Sequence, residues 1–199
     1  MPTKLTLPPL ILASTSPRRS DLLRQLGLDF QVIAGRIEEI QPEHLTPREI
    51  AQVNAYRKAR VVAKKHPDAL VLAADTIVCL GGEIFGKPAD RAEAVRILET
   101  LQGCTHQVIT GVCLVHLRQH RQTVFAVSTS VKFRALLAPD IERYLAKIDP
   151  LDKAGAYAIQ EQGDEIVQEI SGSFSNVVGL PLERLQEELG RWARHSGTF

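Results

Sequence analysis

Two arginines stand where a helix least tolerates them. In the segment Ser14-Thr15-Ser16-Pro17-Arg18-Arg19, Ser16 suits an N-cap and Pro17 the first helical position. Arg18 and Arg19 then fall in the first turn, where the helix dipole opposes each cation by ~0.3–1 kcal/mol. An anion bound there removes the conflict, because free N–H groups, two hydroxyls and two guanidiniums would converge on phosphate oxygens. A well-capped surface helix with two solvated arginines fits the segment alone equally well. Asp75 is a second anomaly, since it interrupts the apolar run 70–80. Its backbone is expected at or near the end of a buried strand, the favoured edge for ligands in an α/β sheet. An unpaired carboxylate is prohibitive to bury, so Asp75 should meet a cation, a metal or a catalytic water; the alternative is an Asp that caps a turn. Lys58 has Ala51, Ala55 and Val62 at helical intervals around it, which lays its stem on an apolar stripe. Its ammonium then meets an anion or snorkels to solvent. Lys87, in the turn Gly86-Lys87-Pro88, could hold an ammonium over a phosphate, although such turns are frequent on surfaces.

The elements that must position these residues follow from pattern. Residues 10–13 form a short apolar strand that runs into a helix through Leu22, Leu23 and Leu26, stopped by Gly27. Thr46-Pro47-Arg48-Glu49 opens a second helix with a capping box, running to about Lys65. Residues 70–74 make a buried strand, the chain continues apolar over 77–80, and Gly81-Gly82 turns it. Asp90 with Glu93 opens a helix through Leu98, and a long hairpin spans about 108–133 with its tip at 118–122. A helix from Ala138 to Ile148, a strand over 166–170 and a helix from Pro181 to about Trp192 complete the chain. No repeat, low-complexity tract or linker divides it, so residues 1–199 are expected to be one mixed α/β domain.

Composition excludes several classes. The 24 basic and 23 acidic residues are interspersed, so no global field recruits nucleic acid or an anionic membrane, and any anion site must be local. No stretch approaches the ~20 apolar residues of a membrane span, and the N-terminal residues lack a signal-peptide pattern. Three cysteines without C-x-x-C spacing argue against a disulfide framework or a zinc cage and for a cytoplasmic location. His116 and His120 share the spacing of a helical metal pair but fall in the hairpin tip, where a solvated loop is expected. His106 has no expected role beyond packing or hydrogen bonding, and Leu185, Leu189 and Trp192 are expected to be core or dimer contact.

Six ordered strings together resemble the Maf family. They are Ile11-Leu12-Ala13-Ser14-Thr15-Ser16-Pro17-Arg18-Arg19, Ala74-Asp75-Thr76, Gly86-Lys87-Pro88, the run 106–112, Gly155-Ala156-Tyr157-Ala158-Ile159-Gln160 and Asn176-Val177-Val178-Gly179-Leu180-Pro181. The resemblance covers about residues 10–181. It implies a mixed, strongly twisted α/β sheet with flanking helices in two lobes, similar to the inosine triphosphate pyrophosphatases, with the active cleft between the lobes. It also implies hydrolysis of nucleoside triphosphates to monophosphate and pyrophosphate, assisted by a divalent cation, Mg²⁺ or Mn²⁺, in a homodimer. By the same motifs Asp75 would be the proton acceptor and Ser14, Arg18 and Arg19 would hold phosphate, while Glu39, Lys58 and Lys87 would complete the polar cleft, Glu39 and Asp75 being the candidate metal ligands. Gln160 matches the branch that resembles dTTP/UTP pyrophosphatases, in which Arg18, Thr76 and Gln160 are tied to specificity. A neutral amide suits that base, since it donates to a carbonyl and accepts from the ring N–H of uracil or thymine. Two alternatives stand beside this reading: a regulatory binding module in cell division or septum formation, and a pyrophosphatase for 7-methyl-GTP or other modified nucleotides.

Overall fold

The computed structural model describes residues 7–195. Its strands form a seven-stranded sheet in the order β2-β1-β3-β5-β6-β7, with β4 paired to β3. The chain runs β1 (Leu10–Leu12), α1 (Pro17–Arg24), β2 (Phe30–Val32), α2 (Pro47–Ala63), β3 (Leu70–Leu80), β4 (Glu83–Phe85), α3 (Arg91–Leu101), β5 (Thr105–His116) and β6 (Arg121–Phe133). It ends with α4 (Ala138–Leu145), a 3-10 turn (Ala154–Ala156), α5 (Gly163–Ile166), β7 (Val167–Ser171), α6 (Phe174–Val178) and α7 (Leu182–His195). β1 runs parallel to both β2 and β3, in register Leu12↔Val32 and Leu12↔Leu72, whereas β4 and β7 pair antiparallel to β3 and β6. The mixed α/β expectation therefore holds.

The chain separates into two compact units. One holds Met1–Asp75, Thr110–Val127 and Gly179–Phe199, and the other Thr76–Ile109 and Ser128–Val178. β3, β5 and β6 each contribute residues to both. In the first unit, small residues of α2, Ala55, Ala59 and Ala63, pack on Ile11, Val71, Ala73, Cys113 and Val115. In the second, α3 and α4 bury Leu98, Leu101, Ile141, Tyr144 and Leu145 with Val78, Val131 and Phe133, each large side chain contributing ~1.5–3 kcal/mol.

Local signals account for several element ends. Thr46 and Glu49 form the capping box, with Glu49 N donating to Thr46 Oγ1 at 3.3 Å and Thr46 N to Glu49 Oε2 at 2.8 Å, so two N–H groups of the helix start are satisfied reciprocally. Asp90 caps α3 by accepting from Glu93 N at 2.8 Å. Gly81 and Gly82, at φ 59° and 94°, make the two-residue turn that registers Leu80 opposite Glu83, a conformation that glycine enters without a Cβ penalty. Leu185, Leu189 and Trp192 are core, each fully buried.

Two expectations need correction here. Asp75 does not end a strand or cap a turn: β3 continues unbroken through it to Leu80, so its carboxylate leaves the middle of a buried strand. His116 is no solvated loop residue. It closes β5 buried, and its Nδ1 accepts from Gln119 N at 3.3 Å, while His120 is exposed in the turn. The three-residue strands β2 and β4 are too short for pattern to mark them; β2 forms by pairing to β1 and β4 by pairing to β3.

His106 has both roles allowed to it. Its Nε2 is 2.9 Å from the Tyr157 hydroxyl, and its ring meets Phe133 and Tyr157 edge-on at centroid distances of 4.7 and 5.5 Å. Burial pushes its pKa down from 6.5 to about 4. Below pH 6.5 the unfolded chain binds a proton there that the folded chain refuses until about pH 4, so this contribution is whole above 6.5 and is lost between 6.5 and 4. The loss is on the order of 3 kcal/mol. Thermal unfolding followed from pH 7 to 4 should show a fall in Tm that flattens in His106→Phe, and an equally steep fall in the variant would remove His106 as its source.

Candidate active site

Strand β3, helices α1 and α2 and the stretch between β2 and α2 together gather a charged cluster in the first unit. β1 and β3 run side by side, with Ala13 N donating to Leu72 O at 2.7 Å, so the loop after β1 leaves in the direction in which β3 proceeds to Asp75. In that loop Ser14 is buried and its Oγ accepts from Ser16 N at 3.1 Å. Ser16 takes the N-cap position of α1 and Pro17 the first turn as expected, yet the Ser16 side chain makes no capping bond. Arg18 and Arg19 follow, with no acidic residue in that turn.

Asp75 meets the cation that its burial demands. Lys58 Nζ donates to Asp75 Oδ1 and to Glu39 Oε1, each at 2.6 Å. The Lys58 side chain is 13% exposed, Asp75 8% and Glu39 53%, so the ammonium links a buried carboxylate to one that faces solvent. Of the adjacent acids, Glu39 supplies its carboxylate to Lys58, whereas Glu38 supplies its carbonyl to Arg57 at 2.9 Å. Arg19 is not a solvated arginine either: Nε donates to Gly179 O at 2.9 Å. Desolvation draws its pKa below the ordinary value, opposed by the fields of Asp75 and Glu39 and reinforced by that of Arg18. Glu39, Lys58, Asp75, Arg18 and Arg19 thus share one electrostatic neighbourhood. The dipole misfit of the first turn of α1 is offset partly by these two carboxylates of the chain itself.

Three residues that hold this cluster escaped the sequence reading. Asn54, 3% exposed, lies one helical turn before Lys58; its Nδ2 reaches Asp75 Oδ2 at 3.3 Å, and its amide also bonds the backbone of Ile40. The i, i+4 spacing of Asn54 and Lys58 was the available signal. Gly35 and Gly111 are close-approach glycines. A Cβ on Gly35 would stand 2.7 Å from the Lys58 carbonyl oxygen, and one on Gly111 2.3 Å from the Ala51 carbonyl carbon. Nothing local distinguishes such a glycine from one in a turn.

The remaining expected site residues belong to the second unit. Thr76 follows Asp75 on β3, half-buried. Lys87 is exposed in the turn between β4 and α3, and Gln160 is exposed in a turn between the 3-10 turn and α5. One contact joins the last two segments: Gly155 N donates to Gly86 O at 3.0 Å. Gly155 is at φ 73°, and a Cβ there would stand 2.9 Å from Val78 Cγ2, so this backbone lies directly on β3. Tyr144 Oη both donates to Ala158 O at 3.2 Å and accepts from Ala158 N at 3.1 Å. Buried Lys153 donates to Asp149 O at 2.7 Å and Asp152 Oδ1 at 2.8 Å, and lies 3.5 Å from Glu161 Oε1, beside Gln160. The segment leading to Gln160 is therefore anchored from both sides.

Chemically, a buried carboxylate held by two donors next to an ammonium and two guanidiniums suits proton abstraction beside a polyanion. Comparison with known proteins identifies the family. Residues 9–192 match the family described as Maf-like protein. The chain belongs to the Maf-like family. This Maf-like chain is 45% identical over 183 residues to a protein of Pelotomaculum thermopropionicum named dTTP/UTP pyrophosphatase, covering 92% of this chain and 96% of the relative. It is 47% identical over 180 residues to a protein of the same name from Symbiobacterium thermophilum, covering 90% and 92%. Among solved structures, the Maf-like chain is similar to the Staphylococcus aureus Ham1 protein, with a TM-score of 0.53, 18% identity and coverage of 90% and 97%. At that identity the likeness is one of fold.

Proposed function

We propose that this protein hydrolyses dTTP and UTP to the nucleoside monophosphate and pyrophosphate. The observation that carries the reading is buried Asp75 held against Lys58, in a chain 43–47% identical to relatives named dTTP/UTP pyrophosphatase. In the reaction, water oxygen bonds to the α-phosphorus, the bond from that phosphorus to the bridging oxygen breaks, and the water proton passes to the Asp75 carboxylate. Lys58 and Asn54 orient that carboxylate. Ser14, Arg18, Arg19 and Lys87 bind the phosphates, and the cations among them stabilise the departing pyrophosphate. Thr76, Gln160 and Arg18 select the base.

A divalent cation, Mg²⁺ or Mn²⁺, belongs to this reading. Among the described residues no group of three or more His, Cys, Asp and Glu side chains is gathered for a metal. The pair Glu39 and Asp75 instead fits the habit of Mg²⁺, which takes one or two carboxylates and completes its shell with water and substrate phosphate oxygens. The chemistry it supplies is charge neutralisation on the phosphates. Two carboxylates against Lys58, Arg18, Arg19 and Lys87 leave about two net positive charges, fewer than a triphosphate carries negative ones, which supports the need for it. The same reading makes the protein a cytoplasmic homodimer; the three cysteines, all unpaired, accord with a reducing compartment. Among the described residues no helix is long and apolar enough to cross a membrane.

The test is pyrophosphate release by purified protein from an equimolar panel of dTTP, UTP, CTP, GTP, ATP, 5-methyl-UTP, pseudo-UTP and 7-methyl-GTP with Mg²⁺ or Mn²⁺. Fastest release from dTTP and UTP is expected. Release from none of them would overturn the reading in favour of a binding module. Gln160→Glu removes the amide donor and keeps the acceptor, so kcat/KM for dTTP relative to GTP should fall about tenfold or more, the cost of one unmade polar contact. An unchanged ratio would remove Gln160 from base selection.

A further inference from the structure

We propose that Asn54 is a positioning residue for this reaction, locking the Asp75 carboxylate and the Glu39 segment into one arrangement; the inference rests on Asp75 as proton acceptor. Asn54 Oδ1 accepts from Ile40 N at 3.0 Å, and Nδ2 donates to Ile40 O at 3.1 Å. A primary amide has one acceptor end and one donor end, and the Ile40 backbone offers one partner for each. The backbone therefore decides which way the amide points, independently of Asp75. The second N–H of Nδ2 is left facing Asp75 Oδ2 at 3.3 Å. The flipped amide would set its carbonyl against two acceptor oxygens and leave the Ile40 N–H facing a donor. Asn54 can consequently present only a donor to Asp75.

Two consequences follow from that constraint. Each oxygen of Asp75 has its own donor, Oδ1 from Lys58 and Oδ2 from Asn54, so the carboxylate plane is held from both sides. Through Ile40 the same side chain also holds the residue next to Glu39, in the irregular stretch between β2 and α2 where no strand ladder fixes the backbone. One buried amide on α2 thereby ties β3, α2 and the Glu39 segment together. Such restraint has a kinetic value, because a shift of about 1 Å in a reacting group can cost as much as 10²-fold in rate.

The experiment measures kcat and KM for dTTP in wild type, Asn54→Ala, Asn54→Asp, Asp75→Asn and Asn54→Ala/Asp75→Asn, with thermal unfolding of each. Asn54→Ala should lower kcat about tenfold to hundredfold while KM changes much less. Asn54→Asp keeps the size and the acceptor for Ile40 N–H but sets an oxygen against Asp75 and Ile40 O, so its loss should be at least as large. In the Asp75→Asn background Asn54→Ala should have little further effect on kcat, since the group it positions is already gone. Retention of the full factor in that background, or wild-type kcat in both single variants, would overturn the proposal. If the wild type releases no pyrophosphate, the function reading fails separately, and the unfolding data decide this one. Tm changes that do not add between Asn54→Ala and Asp75→Asn support the lock, and changes that add overturn it.

Discussion

Asp75→Asn is expected to lower turnover of dTTP by about 10²–10⁴-fold, the contribution of a positioned general base. Asn keeps the volume of Asp but cannot accept the water proton. The structure adds a second effect. Two neighbours of this carboxylate donate to it, Lys58 Nζ at 2.6 Å and Asn54 Nδ2 at 3.3 Å. An amide has only one acceptor end, so one of the two must face an N–H, and such a mismatch in a buried place costs ~1–3 kcal/mol. The variant should therefore unfold at lower temperature as well as turn over slowly. The two effects separate by measuring kcat well below the unfolding transition, on protein shown to be folded by circular dichroism. Near-wild-type kcat under those conditions would remove Asp75 as the proton acceptor.

Gly111→Ala should destabilise the protein by more than the ~1–3 kcal/mol of ordinary overpacking. The added Cβ would stand 2.3 Å from the Ala51 carbonyl carbon, 2.4 Å from its oxygen and 2.6 Å from Gln52 N. Every one of these is backbone, so no rotamer change relieves the clash, and either α2 or β5 must move. α2 also carries Asn54 and Lys58, so the displacement reaches the charged cluster, and any folded fraction should show reduced kcat. Equilibrium urea unfolding measures the first effect and steady-state kinetics the second. A variant with the midpoint of the wild type would show that the approach of α2 to β5 is looser than the structure has it. The same close approach explains why α2 presents Ala51, Ala55 and Ala59 inward, all fully buried: small side chains let the helix lie close enough for Lys58 and Asn54 to reach across to β3.

The outcome for Arg19 shows how far local electrostatics can be read from a sequence. The first turn of α1 does contain two cations and no acid, and an anion at that helix start was one of two answers to the misfit. The structure supplies part of the answer from within the chain, through the fields of Asp75 and Glu39 and the carbonyl of Gly179. The polar atoms that answer the misfit are distant in sequence, Gly179 by 160 residues. No propensity rule reaches that far.

The sequence by itself determined the start of α2 through Thr46, Pro47 and Glu49, the start of α3 through Asp90, the turn at Gly81-Gly82 and the long hairpin of β5 and β6. It also marked Asp75 as an acid that burial would force into partnership. These features depend on neighbours within a few residues, where capping, φ preference and hydrophobic period act directly. Tertiary structure alone decided that Asp75 leaves mid-strand, that Lys58 joins it to Glu39 across separations of 17 and 19 residues, and that Asn54 reads the backbone of Ile40. It decided too that Gly111 must be glycine because a helix backbone lies on it. The physical reason is the same in each case. Desolvation of a carboxylate states only that a donor must come, and the packing of α2 on the sheet determines which donor arrives.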